Sequence, residues 1–450
     1  MKRKITPKSV VLAMLLTSAF LSNAQDKPRS FGKYPLETNI NGVVPCASYE
    51  YEMMLQEKNP KRATEQQFEA WMSQMLKEKR EKGIQKAGPT VITLPVVVHV
   101  IYQGSDAIGQ NENISLAQIQ SQINVLNQDY RKMAGTPGDD QTGYGVDTMI
   151  QFKLATKDID GVTFDGVHRY QQSISQFTSQ DQVESIKSNT IWDPEQYLNI
   201  WTINWGGSIS NLLGYAQFPS QPGLPDLSGM GGDIYTDGVA INYKNFGTSS
   251  EVDNPNFSGA YQYGRTATHE IGHFLGLRHI WGDVTGCAGD DHCDDTPTQN
   301  DKSQGCPAEG TDTCQEGLPD LFQDYMDYSN DACMSVFTQD QMDRMRIILA
   351  NSPRRKTLAT SPALSTEEVQ LLQGMKVYPN PAQNVLNITV DNGDLPDAYV
   401  IYNSIGQLVA NAKVNTEANL TIDTSAYSNG MYFIKIDKGN ESKTIKFIKN

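Results

Sequence analysis

The chain has 450 residues, of which 38% are hydrophobic and 20% are charged, so it can bury cores in about three domains of ordinary size. Its 52 acidic residues outnumber the 37 basic ones and give a formal charge of −15. An acidic chain with no basic cluster past residue 90 is not typical of nucleic-acid binders. We therefore expect no nucleic-acid partner.

The first 24 residues have the three parts of an export signal. Met1–Lys8 carries the basic residues, Val10–Leu16 is apolar, and Ser22-Asn-Ala24 is a cleavage site of small residues. The apolar run is shorter than the roughly 20 residues that a membrane-spanning helix needs, and no later stretch qualifies, so we predict no transmembrane segment. The chain is expected to be secreted or held at the cell surface, where disulfides form.

Residues 25–88 are predicted to form a pro-segment with one clear helix. Thr64 to Gln67 has capping-box spacing, and apolar residues recur at helical intervals from Phe68 to Leu76. Basic residues crowd positions 77–86, which favours a maturation cut near residues 80–90. The alternative interpretation is a small N-terminal helical domain.

Residues 89–353 have the pattern of one mixed α/β domain. The apolar, β-branched run Val91–Tyr102 predicts a strand buried on both faces. Ser115 and Gln118 have the spacing of a capping box and predict the start of a helix that extends to Tyr130. The remaining predicted elements are strands at 149–157, 197–205 and 238–244, a surface loop at 206–236, and helices over 264–277 and from 338 onward.

The pattern changes after residue 353. Residues 354–375 are polar and are predicted to be a linker. Residues 376–450 contain short alternating runs about ten residues apart, separated by turn residues. This spacing predicts a small all-β sandwich.

Three of the six histidines fall in one short run, His269-Glu-Ile-Gly-His273-Phe-Leu-Gly276-Leu-Arg-His279. His269 and His273 are one helical turn apart, so both imidazoles project from the same face. Gly276 permits the positive φ that ends the helix and turns the chain back, which brings His279 round. Three neutral nitrogens and a water form the open tetrahedral site of catalytic zinc. The alternative, an amphipathic helix with half-buried histidines, leaves this spacing unexplained.

These residues resemble the metzincin zinc endopeptidases, and neighbouring motifs resemble the pappalysin family in particular. The resemblance covers about residues 90–350. It implies an α+β metzincin-type catalytic domain, with a mixed sheet and an active-site helix, that hydrolyses peptide bonds of proteins or peptides. The matching motifs are Gly264-Arg-Thr-Ala-Thr-His-Glu, Cys287, Asp295-Thr-Pro297, Met326-Asp-Tyr-Ser329, Cys333 and Phe337-Thr338.

The resemblance also implies catalytic roles. Glu270, offset by about 100° from His269 around the helix, would act as general base and then general acid without ligating the zinc. Tyr328 would assist the tetrahedral intermediate through its hydroxyl, although it could instead only pack beneath the site. Met326 would form a hydrophobic floor under the zinc. We expect the run Gly238–Asn242 to be an edge strand along which a peptide substrate aligns.

An acidic loop follows the third histidine. Five carboxylates and no Lys or Arg lie between Asp283 and Asp295, and such charges repel one another unless a cation lies among them. The resemblance implies calcium here, held by the Asp291 and Thr296 side chains and the Cys293 carbonyl. The alternative is a solvated acidic loop.

The pairing of the six cysteines does not follow from their spacing alone. The resemblance implies disulfides Cys287–Cys314 and Cys306–Cys333, with Cys287–Cys293 as a competing pair. Cys46 lies in the pro-segment, and a thiolate is a strong zinc ligand. Precursors in the family resemble this arrangement, so Cys46 is expected to take the fourth zinc position in a latent form. The alternatives are a Cys46–Cys293 bridge or an idle thiol.

The C-terminal module resembles type IX secretion sorting domains, which implies passage through the outer membrane by that secretion machinery. The matching pieces are Val377-Tyr-Pro-Asn-Pro381, Ile405-Gly-Gln-Leu408 and Gly430-Met-Tyr-Phe433. A carbohydrate-binding or adhesive sandwich is the alternative. For the whole chain, the rival interpretation is a calcium-dependent adhesive surface protein with an inactive protease-like core, and the presence of all the catalytic groups disfavours it.

Overall fold

The computed structural model describes residues 29–82, 90–220, 234–257, 259–364, 375–389, 395–404, 406–438 and 441–450. The predicted export signal, the greater part of the predicted maturation region and ten residues of the predicted linker, 365–374, lie outside these residues. Within the described part of the chain, no helix is long and apolar enough to cross a membrane.

Residues 29–82, here called the N-terminal segment, contain two helices where the sequence predicted one. The elements are β1 (Ser30–Phe31), β2 (Tyr34–Pro35), β3 (Val44–Cys46), α1 (Ser48–Lys58) and α2 (Glu65–Lys82). Helix α2 is the predicted helix. Helix α1 has no side-chain cap, and it buries Tyr51, Met54 and Leu55 on one face. It begins two residues after Cys46, so this cysteine lies at a strand-to-helix junction.

Residues 90–364, here called the body, form a mixed sheet with helices packed on it. The elements are β4 (Ile92–Gln103), α3 (Leu116–Tyr130), β5 (Ile150–Leu154), β6 (Val167–Gln172), α4 (Gln180–Thr190), β7 (Leu198–Ile203), β8 (Leu212–Ala216), β9 (Val239–Asn242), α5 (Arg265–Phe274) and α6 (Gln339–Asn351). The sheet order is β3-β8-β9-β7-β4-β5, and β6 also pairs with β4. Strands β4 to β7 and β9 pair in parallel, whereas β8 is antiparallel to β9.

Two predictions for this sheet are wrong. The stretch 206–236 was expected to be a loop, but β8 within it is a fully buried strand. The run Gly238–Asn242 was expected to be a sheet edge, but β9 lies between β7 and β8. Strand β8 is therefore the edge of the body, and β3 of the N-terminal segment lies along it in parallel, with Cys46 opposite Gly214.

The sheet separates two apolar cores. One core packs α3 and α5 against β4, through residues such as Ile123, Ile271 and Val98. In the other core, the N-terminal segment contributes Tyr51 and six further buried residues, which pack on the body. The N-terminal segment is thus an integral part of the second core in this form of the protein.

The predicted linker starts too early. Arg355 is fully buried and its Nη1 lies 2.6 Å from Asp237 Oδ2, while Leu358 belongs to the main core of the body. Ala363 accepts a hydrogen bond from the backbone of Thr156. Residues 354–364 therefore belong to the body. Two of their polar residues, Arg354 and Arg355, are buried in ion pairs with Asp237, whereas others such as Lys356 and Thr360 are exposed.

The C-terminal residues 375–450 form the predicted all-β sandwich. Its strands are β10 (Lys376–Tyr378), β11 (Val385–Thr389), β12 (Ala398–Asn403), β13 (Leu408–Lys413), β14 (Thr421–Asp423), β15 (Gly430–Lys438) and β16 (Glu441–Lys449). They form two antiparallel sheets with the orders β10-β11-β14 and β13-β12-β15-β16. Leu386, Ile401 and Phe447 are among the residues of its separate apolar core.

Candidate metal centre and active site

The histidine helix α5 ends at Phe274, three residues before the predicted end at Leu277, and the chain turns at Gly276. Gly276 has φ +88°, and a Cβ there would lie 2.9 Å from Ile348 Cγ1. The Leu277 amide donates to the carbonyl of Gly272 at 3.0 Å and closes the turn. Gly272 itself has no room for a Cβ, because the Met326 sulfur packs against it. The chain reverses here and brings His279 back towards the helix.

The three predicted histidine ligands meet at one point. Their Nε2 atoms are 3.1 Å apart for His269 and His273, 3.1 Å for His273 and His279, and 3.3 Å for His269 and His279. Nitrogens bound to one tetrahedral zinc lie about 3.4 Å apart, given bonds of roughly 2.0–2.1 Å. The spacing therefore fits a shared metal ion.

The hydrogen bonds of the other ring nitrogens decide which lone pairs face that point. The Nδ1 atoms lie 2.7 Å from the Tyr325 carbonyl for His269, 2.8 Å from the Leu277 carbonyl for His273, and 2.5 Å from Asp283 Oδ1 for His279. These oxygens only accept, so each Nδ1 carries the proton and each Nε2 presents a lone pair. Three lone pairs directed at one another repel, and a bound cation is what stabilises them.

Burial keeps the His269 and His273 imidazoles neutral. It lowers the pKa of His269 to about 3, with His279 adding to the effect. It also lowers the pKa of His273 far below its usual value. Neutral imidazole is the form that ligates metal ions.

Cys46 of the N-terminal segment joins this cluster. Its Sγ and the three histidine nitrogens all lie within 4.8 Å of one another, and all four residues are buried. The Ser48 amide donates to Sγ at 3.2 Å. Burial and the neighbouring Glu270 raise the pKa of the thiol. A cation at the centre of the cluster is what would stabilise the thiolate here.

Glu270 faces the same centre but is capped by the N-terminal segment. The Ser48 hydroxyl donates to its Oε2 at 2.7 Å and accepts from the Ala216 amide at 2.8 Å. Its Oε1 has no hydrogen-bond partner among the described residues. Burial raises the pKa of Glu270 to about 8, and Glu50 adds to that increase.

Tyr328 and Met326 flank the histidines. The Tyr328 ring lies 4.9 Å from the His279 ring and 5.7 Å from the His269 ring, measured between centroids. Burial, with Cys46 nearby, raises the pKa of the Tyr328 hydroxyl. Met326 is fully buried, and its sulfur packs against Gly272 of α5.

The three predicted calcium ligands also lie together. The Thr296 hydroxyl is 2.8 Å from both Asp291 Oδ1 and the Cys293 carbonyl oxygen. Asp291 Oδ2 is buried and unpartnered among the described residues. Burial raises the pKa of this carboxyl to about 7. Such a cluster of oxygens, with one buried carboxylate oxygen unpartnered, suits a hard cation.

The cysteines form the disulfides Cys287–Cys314 and Cys306–Cys333, the pairs that the family resemblance implied. Cys46 and Cys293 are free and buried, so neither competing bridge is present.

Two residues of the site were missed from the sequence. Asp283 was grouped with the calcium acids, although it contacts His279 Nδ1, and its i+4 spacing from that histidine was the available signal. Ser48 gave no signal, because its partners Glu270 and Ala216 are distant in the chain.

The body and the C-terminal module each match a known protein family. A family model described as pregnancy-associated plasma protein-A matches residues 178–350, and one described as a secretion system C-terminal sorting domain matches residues 376–450. An extracellular metalloprotease of Arthroderma benhamiae is 31% identical over 286 residues, which cover 64% of this chain and 86% of the relative. Extracellular metalloprotease 1 of Coccidioides posadasii is 32% identical over 246 residues, which cover 52% of this chain and 79% of the relative.

Two solved structures are also similar to this chain. Mature mirolysin of Tannerella forsythia, in complex with a cleaved peptide, is 39% identical with a TM-score of 0.53, covering 62% of this chain and 99% of that one. A promirolysin variant from the same organism is 34% identical with a TM-score of 0.55, covering 71% of this chain and 97% of that one. The fold and the site thus define a secreted metalloendopeptidase of the metzincin class. Within that class, the chain belongs to the pappalysin family, and it carries a C-terminal secretion sorting domain.

Proposed function

We propose that this protein is a zinc endopeptidase made as a latent precursor, in which the N-terminal segment blocks the active site until it is removed. The observation that carries this proposal is the convergence of three histidine Nε2 atoms and the Cys46 sulfur within 4.8 Å. Three imidazoles and one thiolate are a complete ligand set for tetrahedral zinc. Loss of the thiolate would open the position that catalysis needs.

The chemistry then divides among a few groups. When bound, zinc would activate a water molecule and polarise the scissile carbonyl. Glu270 would take the proton of the attacking water and pass it to the leaving amine. The Tyr328 hydroxyl would donate to the oxyanion of the tetrahedral intermediate. Asp283 would hold His279 in the tautomer that presents Nε2.

Latency would have three physical components. Cys46 would fill the fourth ligand position, and the Ser48 hydroxyl would occupy Glu270. Strand β3 covers the edge of β8, where an extended peptide substrate would pair. The longer match to promirolysin than to mature mirolysin supports this assignment of the N-terminal segment.

The remaining assignments are part of the same proposal. Residues 1–24 would be the export signal, residues 25–88 the pro-segment with a cut near 80–90, and residues 376–450 the partner of the secretion machinery. Asp291, Cys293 and Thr296 would bind Ca²⁺. Protein or peptide substrates would enter along β8.

The test combines metal analysis with proteolysis. Purified mature enzyme should contain one zinc per chain and digest casein, chelator should abolish digestion, and added zinc should restore it. Glu270→Ala should bind zinc but lose activity by a factor of about 10² or more. Unchanged proteolysis in Glu270→Ala would refute the mechanism. Calcium binding without any proteolysis would favour the adhesive alternative.

Latency has its own matched control, because the described chain has two free buried cysteines. Cys46→Ser should raise the activity of the uncut precursor, whereas Cys293→Ser should leave it latent. Equal behaviour of the two precursors would refute the role given to Cys46.

A further inference from the structure

We infer that Arg278 and Arg344 form a carboxylate-binding subsite in the mature enzyme, which binds an acidic side chain of the substrate. This inference rests on the proposed function, because the N-terminal segment must leave before a substrate can enter. In the precursor, the subsite holds a carboxylate of the protein itself, that of Glu69 on α2.

The Glu69 carboxylate is bound by both guanidinium groups. Its Oε1 lies 3.1 Å from Arg278 Nε and 2.9 Å from Arg344 Nη2, and its Oε2 lies 2.8 Å from Arg344 Nη1. Arg344 therefore makes the two parallel hydrogen bonds of a bidentate pair, which is geometrically specific for a carboxylate. All three side chains are at least 94% buried.

The body alone holds the two arginines in place. Arg344 Nη2 donates to the Gly276 carbonyl at 3.2 Å and its Nη1 to the His292 carbonyl at 3.5 Å. The Arg278 guanidinium lies over the Phe218 ring, 5.0 Å from its centroid. None of these contacts involves the N-terminal segment, so the site would persist after that segment is removed.

Removal of the N-terminal segment takes away the carboxylates that pair with these arginines. The ion-pair partners of Arg278 are Glu65 and Glu69, and that of Arg344 is Glu69, among the residues that the structure describes. Asp291 acts on Arg344 from a greater distance, and its own carboxylate accepts from Thr296 and Cys293. The uncovered guanidinium groups then lack the anion that they paired with, so the site favours an incoming carboxylate.

The subsite lies beside the proposed path of the substrate. Strand β8 ends at Ala216, and the chain continues to Phe218, whose ring is 5.1 Å from the His273 ring. The same Phe218 ring supports Arg278. Near the other end of β8, Pro45 and Leu213 line a pocket with His269 and Tyr328. A peptide paired along β8 and extending past Ala216 would therefore reach Arg278.

Paired peptides test this inference on the mature enzyme. Cleavable peptides would carry Glu or Gln at each position on either side of the scissile bond in turn. We expect one position at which Glu raises kcat/KM by about tenfold over Gln, mainly through KM, as charge-assisted hydrogen bonds of this kind contribute. The preference should weaken as salt is raised.

Arg278→Gln and Arg344→Lys should each reduce that preference towards onefold. The control is Arg131→Gln, because Arg131 pairs with Asp147 next to β5, at the opposite edge of the sheet. Equal cleavage of Glu and Gln peptides at every position by the parent enzyme would overturn the subsite alone. So would a preference that both subsite variants retain. Failure of the mature parent enzyme to cleave any peptide would overturn the proposed function with it.

Discussion

Two buried carboxylates in this protein are each held by two arginines, yet they occupy different places in the architecture. Asp237 contacts Arg354 and Arg355, all within the body. Glu69 contacts Arg278 and Arg344, but it belongs to the N-terminal segment. The local chemistry is the same. The difference is that the first cluster lies within the body, whereas the second would separate if the N-terminal segment is removed as proposed.

This contrast shows how one type of interaction can serve permanent and removable contacts. A buried ion pair is not in itself strongly stabilising, but removing one partner is costly because it strands the other charge. In the body, that cost fixes residues 354–364 against the sheet. At the interface with the N-terminal segment, the same cost would resist opening of the proposed precursor, and under our inference a substrate carboxylate would replace that of Glu69.

The largest expected loss of stability follows from a change in the cluster of Asp237, Arg354 and Arg355. Asp237→Asn should lower the free energy of unfolding by about 3–5 kcal/mol in precursor and mature enzyme alike, because two guanidinium groups lose their buried counter-ion. Denaturant unfolding of both forms measures this. A loss below about 1 kcal/mol in either form would show that the cluster does not hold residues 354–364 in place.

A smaller loss of stability, confined to the precursor, is expected from a change in the cluster of Glu69, Arg278 and Arg344. Glu69→Gln should destabilise the precursor by about 1–3 kcal/mol through lost charged hydrogen bonds, and it should speed activation. The mature enzyme should not change, because it lacks this residue. Unfolding curves of the two forms provide the readout. An unchanged precursor would contradict the role given to Glu69.

The pH dependence should separate the same two clusters. Burial by itself raises the pKa of Glu69, but Arg344 and Arg278 outweigh it and hold the pKa below its usual 4.5. Burial likewise raises the pKa of Asp237, and Arg355 and Arg354 hold it far below its usual value. A lowered pKa in the folded state stabilises above the usual value and is lost as the pH falls through the folded-state value.

The extra thermal stability of precursor over mature enzyme should therefore shrink as the pH falls below about 4.5. The Asp237 contribution should persist to lower pH. Tm values of both forms between pH 7 and pH 3 test this, with Glu69→Gln as the control that lacks the step. A difference that is constant with pH, or the same step in the control, would contradict the account.

The smallest effect is expected where a similar pair is open to solvent. Arg131 Nε lies 2.9 Å from Asp147 Oδ1, and their side chains are 24% and 36% exposed. Arg131→Ala should cost less than about 1 kcal/mol, because water screens the pair. Denaturant unfolding measures it. A cost as large as that of Asp237→Asn would show that burial is not what separates these clusters.

How much of this could be predicted from the sequence depends on how local the information is. The histidine site is local: His269 and His273 are four residues apart, and Gly276 alone explains the turn to His279. The long buried strand β4 has a continuous apolar signal of its own. The structure brings these three histidines together and forms β4 over most of the predicted run.

The missed features depend on distant partners. Strand β8 is a short run within a Gly- and Ser-rich stretch, and its conformation comes from pairing with β9. The sequence around Arg355 is typical of a surface segment, because its partner Asp237 is 118 positions away in the chain. Glu69 and Arg344 are 275 positions apart, so nothing near either one indicates the pair. Long-range ion pairing and strand pairing leave no periodic pattern in the chain.

The most direct test of the metal centre is zinc X-ray absorption on uncut precursor and mature enzyme. The precursor should show one sulfur at about 2.3 Å and three nitrogens at about 2.0–2.1 Å. The mature enzyme should keep the nitrogens, lose the sulfur and gain one oxygen. Absence of sulfur from the precursor, or the same sulfur in both forms, would contradict the proposed latent centre built from Cys46, His269, His273 and His279.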